Sequence, residues 1–457
     1  MQIDAASFRD PNGFIFRNGA NLFRQINQSY AADYELLMTS GLYESLVKEG
    51  ALIAHREAAL STAYSADAYK VIQPERIPFI SYPYGWSFAQ LREAALATLR
   101  IQEKALAFGM SLKDASAYNV QFKNSQAVFI DTLSFEKYED GKPWAAYRQF
   151  CQHFLAPLTL MAKVDIRLGK LCESFIDGIP LDLAASLLPR RTKFNLNTLM
   201  HIHLHSKAQA KYSESTSNIT KKRTLSKNGL LGVLASLRSA VKGLKWGHQK
   251  TEWADYYEHT NYSDSGKLAK QNQVEAFLSQ VPSPDRILDL GANTGQFSLL
   301  AKKFAKTVIS SDIDYGAVQR NFVRAAANKD DQLFPVMLDL ANPSPALGWA
   351  CEERSNFFQR AKPDVTLCLA LIHHLVISNN VPLGRLVNFF AELSPYLIIE
   401  FVPKSDSQVK ILLANRPDIF ENYDESTFET LFSAAFKKLG QVRLEGTERS
   451  LYLFKRL

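Results

Sequence analysis

Residues 286–298 read RILDLGANTGQFS, from Arg286 to Ser298, and this stretch decides the fold. Ile287, Leu288 and Leu290 make the short apolar run of a buried strand. Asp289 stands near its carboxyl end and Gly291 and Gly295 bracket the turn that follows. Phe297, Leu299, Leu300 and Phe304 then recur at helical spacing. A strand, a tight glycine turn and a helix N-terminus let a ligand approach bare backbone. The order here is D-x-G-x-N-x-G, which is neither the G-x-G-x-x-G of dinucleotide sites nor a loop ending in GK[ST].

Outward from the loop, strands and helices alternate. Thr307 to Ser311 reads as a second strand, ending at Asp312, about 20 residues past the glycines, where a carboxylate can accept from a ribose diol. Leu333 to Leu338 is a third strand, ending at Asp339. Asp364 to Leu371 is a fourth, running into His373 and His374, and Leu397 to Val402 is a fifth, with Glu400 near its end. Helical patterns over Tyr315–Ala327 and Pro382–Leu393 complete a βαβ alternation, which implies a parallel sheet. Gln441–Glu445 and Ser450–Lys455 close the chain as a strand pair.

This arrangement resembles the class I S-adenosylmethionine-dependent methyltransferases, whose motif I is a glycine loop of this kind. The resemblance implies an α/β, doubly wound, seven-stranded sheet with S-adenosyl-L-methionine as cofactor. It implies that Asp289, Gly291, Asn293 and Gly295 hold the methionine part, Asp312 the ribose and Asp339 the adenine. The same family closes over its cofactor with the segment before the loop, which makes Tyr256, Tyr257, Tyr262 and Lys267 candidates. The segment after the fourth strand borders the transferred methyl group in that family. His373 and His374 are therefore candidate bases, with Glu400 or Asp406 to orient an imidazole or bind an acceptor hydroxyl. N-P-P-[YF], which marks amide or base N-methylation in this fold, is absent there, so O- or C-methylation of a sugar, glycan or small metabolite is expected.

At 457 residues two domains are expected: 1–210, a basic connection over 211–250, and 251–457. The first domain shows an Asn18-Gly19 hairpin signal, helical spacing over 32–49, an aromatic extended stretch over 77–86, and a long helix from Phe88 to Phe108. Lys142–Leu160 and Leu168–Leu188 read as further packed helices. In residues 109–135, Asp114, Asn119 and Asp131 resemble the catalytic loop and metal aspartate of the kinase-like fold. That resemblance implies an α+β kinase-like domain, with Arg24 or Lys70 toward phosphates. The glycine loop and the V-A-I-K lysine of that fold are absent, so an inactive or acceptor-binding domain is expected, and caps binding a peptide or glycan stay open. His201, His203 and His205 would suit zinc on a strand; their flanks favour a helix, which makes them structural.

Hydrophobic residues make up 46% of the chain and charged residues 22%, a globular balance. The net charge of +7 is local: eight Lys or Arg and no acidic residue fall between Lys221 and Lys250. The remainder gives no strong nucleic-acid signal, although the basic stretch keeps an RNA or protein acceptor open. An apolar stripe over 229–246 (Leu230, Val233, Leu234, Leu237, Val241, Leu244) fits docking on a neighbouring domain, with peripheral membrane contact as the alternative. No apolar run is long enough to span a bilayer. The start of the chain lacks a secretory pattern, and Cys151, Cys172, Cys351 and Cys368 have no metal spacing, so a cytoplasmic protein with reduced thiols is expected.

Across most of its length the chain also resembles a bacterial family of two-part S-adenosylmethionine-dependent methyltransferases, some labelled nodulation proteins. IPFISYPYGWSF, GMSLKDASAYNVQF, FIDTLSF, AYRQFCQHFLAPL, DGIPLDLA, LALIHHLVISNNVPL and LIIEFVPKSD carry that resemblance. It implies methyl transfer, and leaves a bifunctional kinase–methyltransferase as a further alternative.

Overall fold

The computed structural model describes residues 1–205, 224–247, 264–414 and 416–457. Tyr256, Tyr257 and Tyr262 lie outside the described residues. The chain forms two units, Met1–Gly247 with Ala346–Ser355, and His248–Pro345 with Asn356–Leu457.

The first unit opens on a five-stranded antiparallel sheet of β1 (Gln2–Ile3), β2 (Gly13–Asn18), β3 (Asn21–Asn27), β4 (His55–Ala58) and β5 (Ala68–Pro74), in the order β1-β2-β3-β5-β4. Gly19, at φ +59°, makes the tight turn that Asn18-Gly19 signals. Helices Ala31–Thr39 and Leu42–Lys48 separate β3 from β4. Helix Phe88–Ala107 starts at a capping box: Gln90 N–H donates to Ser87 Oγ, and Ser87 N–H donates to Gln90 Oε1. Its Leu91, Ala95, Leu99 and Leu106 are buried at helical spacing. β6 (Met110–Leu112) pairs with β9 (Phe135–Lys137), and β7 (Val120–Lys123) turns into β8 (Gln126–Phe129).

Two expectations are corrected in this unit. The helix expected from Lys142 begins only at Tyr147; Pro143 disfavours helical backbone at Lys142, the residue before it. The segment 168–188 breaks into short pieces, with Gly178 at φ +96° and Pro180 interrupting it. The basic stripe forms helix Lys227–Gly243. Leu230, Leu234, Leu237 and Val241 are buried, the helix lies against Phe88–Ala107, and Arg238 pairs with Glu103. Its apolar face is thus covered by protein instead of facing lipid, and the helix counts with the first unit. From the segment Ala346–Ser355, Glu353 takes a bidentate pair from Arg9 at 2.8 and 2.9 Å, and the Arg354 guanidinium lies 4.1 Å over the Tyr118 ring.

The second unit carries a seven-stranded sheet: β10 (Arg286–Leu290), β11 (Thr307–Asp312), β12 (Leu333–Met337), β13 (Val365–Cys368), β14 (Tyr396–Phe401), β15 (Phe436–Arg443) and β16 (Ser450–Arg456). The order is β12-β11-β10-β13-β14-β16-β15, with the first five parallel and β16 antiparallel to β14. This is the doubly wound sheet expected from the loop. The strand order reverses between β10 and β13, and ligands of such sheets bind outside the carboxyl ends at that point. Ile287, Val308, Val365, Leu367 and Ile398 form its core with Val274, Phe277 and Leu278 of helix Asp264–Leu278. β15 begins at Phe436, not Gln441: Phe436 is buried against Phe432 and Phe454, and tertiary packing overrides a helix-like AAFKKLG. β13 stops at Cys368, and Ala370 turns the chain at φ +52°.

Candidate functional site

Gly291 adopts φ +68° and Gly295 φ +79°, a region that L side chains avoid. A Cβ on Gly295 would run into the Asn321 side chain, so glycine is also the only residue that fits there. Ala292 N–H donates to Ser311 carbonyl at 2.9 Å and Asn293 N–H to Asp312 Oδ2 at 2.7 Å, which fastens the loop to β11. Behind it, Arg324 donates to the carbonyl of Thr294 and to Asn321 Oδ1, both at 2.7 Å, and Asn321 Nδ2 donates to Ser310 Oγ. Ser298 Oγ lies 2.6 Å from Asp289 Oδ2 and 2.7 Å from Ser310 Oγ. Ser298, Ser310, Asn321 and Arg324 were not singled out by sequence, since no local pattern tells a bracing polar residue from a solvated one.

The loop opens on a cavity of about 380 Å³. Lys267, Lys270, Asp289, Gly291, Asn293, Asp312, Asp339 and His374 line it, together with apolar Leu340, Leu371, Leu375 and Leu412. Of the expected cofactor residues, Gly295 stands behind the cavity wall as the cap of helix Gln296–Ala301. Asp289 lies near the carboxyl end of β10, Asp312 is the last residue of β11 and Asp339 follows β12, on adjacent strands with a spacing of roughly 4.8 Å per strand. Burial pushes Asp289 up to about 7, against the hydrogen bond from Ser298, and pushes Asp312 up to about 6 against donors from Asp314 and Asn293.

Those two shifts set a pH dependence. The empty site takes up protons as pH falls through 7 and 6, and a protonated carboxyl loses its negative charge toward a cationic or hydroxylic ligand. Affinity for S-adenosylhomocysteine, measured calorimetrically, is therefore expected to rise between pH 5 and pH 8; a flat profile would contradict this. For the unliganded chain the sign is opposite. Both carboxyls sit above the ordinary 3.8, so their contribution to stability is full below about pH 4 and is lost as pH rises through 6 and 7.

The two histidines part company. His374 lines the cavity, and burial, then the Arg449 charge, push it down to about 4, leaving a neutral imidazole at physiological pH. His373 is 1% exposed and does not line the cavity; its Nδ1 finds no hydrogen-bond partner among the described residues, and its ring lies 4.2 Å from that of His374. Glu400 departs from its expected role. It is fully buried, takes Lys270 Nζ–H at 2.5 Å, lies 3.4 Å from Arg449 Nη1, and is not among the residues that line the cavity. Arg449 also donates to Asp406 Oδ2 at 2.8 Å and Oδ1 at 3.1 Å. Lys270 and Arg449 went unnoticed in the sequence because this pairing joins distant segments.

In the first unit Asp114, Asn119 and Asp131 do come together. Asp131 pairs with Arg24, and Ser134 Oγ donates to Asp131 Oδ2 at 2.5 Å and accepts from Asn119 Nδ2 at 3.2 Å. Burial, then the Asp131 charge, raise Asp114. Lys70 instead pairs with Glu57. His201, His203 and His205 lie on or next to the wide helical turn Leu199–Leu204. His201 Nδ1 and Nε2 meet Tyr147 Oη and Ser236 Oγ at 2.7 and 2.8 Å, His203 Nε2 meets Thr192 Oγ1 at 2.9 Å, and His205 stacks on Tyr147. No metal-binding group exists among the described residues, and no described helix is long and apolar enough to cross a membrane.

No family model matches the chain. The nodulation protein NoeA of Rhizobium meliloti (strain 1021) is 37% identical to it, over 99% of this chain and 96% of that protein. Among solved structures, the N-methyltransferase NodS from Bradyrhizobium japonicum WM9 aligns with 42% of this chain and 98% of its own, at 11% identity and a TM-score of 0.33. The magnesium protoporphyrin IX methyltransferase (ChlM) from Synechocystis PCC 6803 with bound SAH aligns with 45% and 93%, at 18% identity and a TM-score of 0.32.

Proposed function

The chain belongs to the family of the nodulation protein NoeA, and from that premise we propose that it is an S-adenosylmethionine-dependent methyltransferase that O-methylates a sugar, glycan or related small metabolite. The observation that carries this reading is the row of Asp289, Asp312 and Asp339 at the carboxyl ends of adjacent strands, bordering one cavity beside the bare backbone of Gly291. Bound S-adenosylmethionine supplies a methyl group already activated on a sulfonium, so the protein has mainly to align an acceptor. Asp312 accepts from the ribose hydroxyls, Asp339 serves the adenine, and Asp289 faces the positively charged end. Leu340, Leu371, Leu375 and Leu412 keep water from the reacting atoms. His374, neutral and facing the cavity, takes the proton of an acceptor hydroxyl; Leu371-Ile372-His373-His374 stands where an N-methylating enzyme of this fold carries N-P-P-[YF].

The first unit, on this reading, has a kinase-like scaffold that presents the acceptor. The Arg24 guanidinium pairs with Asp131, the carboxylate that a working kinase would spend on magnesium, so methyl transfer needs no ATP. The test is incubation with methyl-labelled S-adenosylmethionine and a cell extract lacking magnesium–ATP. A labelled glycan or small molecule is expected, and His374→Ala should lower its formation by roughly a hundredfold or more while leaving S-adenosylhomocysteine binding nearly unchanged. Label in RNA or protein would replace the acceptor class, a need for ATP would make the first unit a kinase, and no transfer at all would sink the reading.

A further inference from the structure

The most exposed large apolar side chain among the described residues is Phe194, at 92%, and Leu196 close by is 66% exposed. Phe194 ends the short turn Arg190–Phe194, and helix Leu196–Thr198 runs on into the wide turn Leu199–Leu204. The inner side of this segment is committed to the first unit. His201 meets Tyr147 and Ser236, His203 meets Thr192, Asn197 accepts from Ser236, and Ile202 is fully buried. Those contacts fix which side faces out. Leu196, Met200 and Leu204 recur every fourth residue on that outer side, and all three are exposed. Water therefore meets an apolar stripe, led by Phe194, where a surface helix normally shows polar residues.

The charges beside the stripe are of one sign. Arg190, Arg191 and Lys193 are exposed on the turn that packs against this segment, and no acidic residue falls between Leu183 and His205. Bare apolar groups next to cations narrow the choice of partner. A nucleic-acid backbone would use the cations and leave the stripe in water. A folded protein would need a groove cut to fit Phe194, which projects almost clear of its own turn. The boundary layer of an anionic bilayer serves both kinds of group, with apolar side chains among the acyl chains and basic ones at the phosphates. This face is separate from the apolar side of helix Lys227–Gly243, which protein covers.

We propose that residues 190–204 form a docking surface for an anionic lipid bilayer. Phe194, Leu196, Met200 and Leu204 enter the headgroup boundary, and Arg190, Arg191 and Lys193 hold lipid phosphates. The contact is peripheral, and it combines the two signals, apolar insertion and basic charge, that stable attachment without a spanning helix requires. It goes beyond the methyl-transfer reading and places the protein at a membrane surface whatever the acceptor.

The experiment is cosedimentation of the full-length chain with vesicles of phosphatidylcholine mixed with phosphatidylglycerol, and with vesicles of phosphatidylcholine alone. Wild type is expected to bind the mixed vesicles roughly a hundredfold more tightly, since each basic side chain near an anionic surface strengthens binding about fivefold. Added salt should shrink that preference. Phe194→Ser combined with Leu196→Ser should weaken binding to the mixed vesicles about tenfold or more. Replacing Arg190, Arg191 and Lys193 by Gln should erase the preference for the anionic lipid. The same loss of charge at exposed Lys48, Lys329 and Lys437, away from this segment in the sequence, should leave binding within about twofold of wild type. All these positions are exposed, and circular dichroism checks that each variant is folded. Wild type that ignores both vesicles or binds them equally, apolar variants that bind as wild type does, or a distant-lysine variant that loses as much as the local one would overturn the inference. So would a wild-type dimer that Phe194→Ser turns into a monomer, since the stripe would then be covered by a second copy of the chain.

Discussion

Asp312→Ala is expected to weaken S-adenosylhomocysteine binding about a hundredfold or more. Two losses add. The ribose diol loses its charged acceptor, which is worth roughly 1.5–3 kcal/mol. Asn293 N–H also loses Oδ2, its partner at 2.7 Å, and Asp314 N–H loses Oδ1 at 2.8 Å, so the glycine loop is no longer fastened to β11 by a side chain. Asp312→Asn separates the two effects, since its amide oxygen can keep one backbone donor while the charge is gone; it should fall between wild type and Ala. Calorimetry on both variants, with circular dichroism to show that the sheet is intact, decides the matter. Unchanged affinity in the Ala variant would remove Asp312 from the site.

Glu400→Gln is expected to cost stability, not only affinity. Glu400 is fully buried between Lys270 and Arg449, and neutralising it removes the carboxylate that both buried cations face, with Asp406 gripping Arg449 alone of the two. Breaking a buried ion pair by removing one partner costs roughly 3–5 kcal/mol. For a unit of this size that is about 6–20 °C in melting temperature. The transition to follow by calorimetry is the one that S-adenosylhomocysteine shifts upward, which identifies the methyl-transfer unit. A melting temperature within a degree or two of wild type would mean that the carboxylate is dispensable to the fold.

The glycine loop was legible because strand, turn and helix start are consecutive, and each apolar step reports its own burial. Asp312 and Asp339 were legible because strands of a parallel sheet end on one edge, so a carboxylate after each apolar run has a place fixed by the pattern alone. His373 and His374 were not separable. Their directions depend on how Ala370 turns the chain at φ +52° and on the wide helical turn His374–Ser378 that follows. Glu400 was misread for a related reason: an acidic residue at a strand end looks like a ligand unless its partners are known. Arg449 arrives from the last hairpin and Lys270 from the helix before the loop, pairings that no local window contains.

Glu353 and Arg354 give the chain a property that bears on its inheritance. The unit that begins at Met1 draws a buried carboxylate and a cation stacked on Tyr118 from a ten-residue loop, Ala346–Ser355, encoded between two strands of the other unit. A gene fragment ending at Gly247 would make Arg9 and Tyr118 without them. Recombination that fuses such a fragment to an unrelated methyltransferase would therefore deliver an incomplete protein. The two halves are expected to pass between genomes as a single cassette.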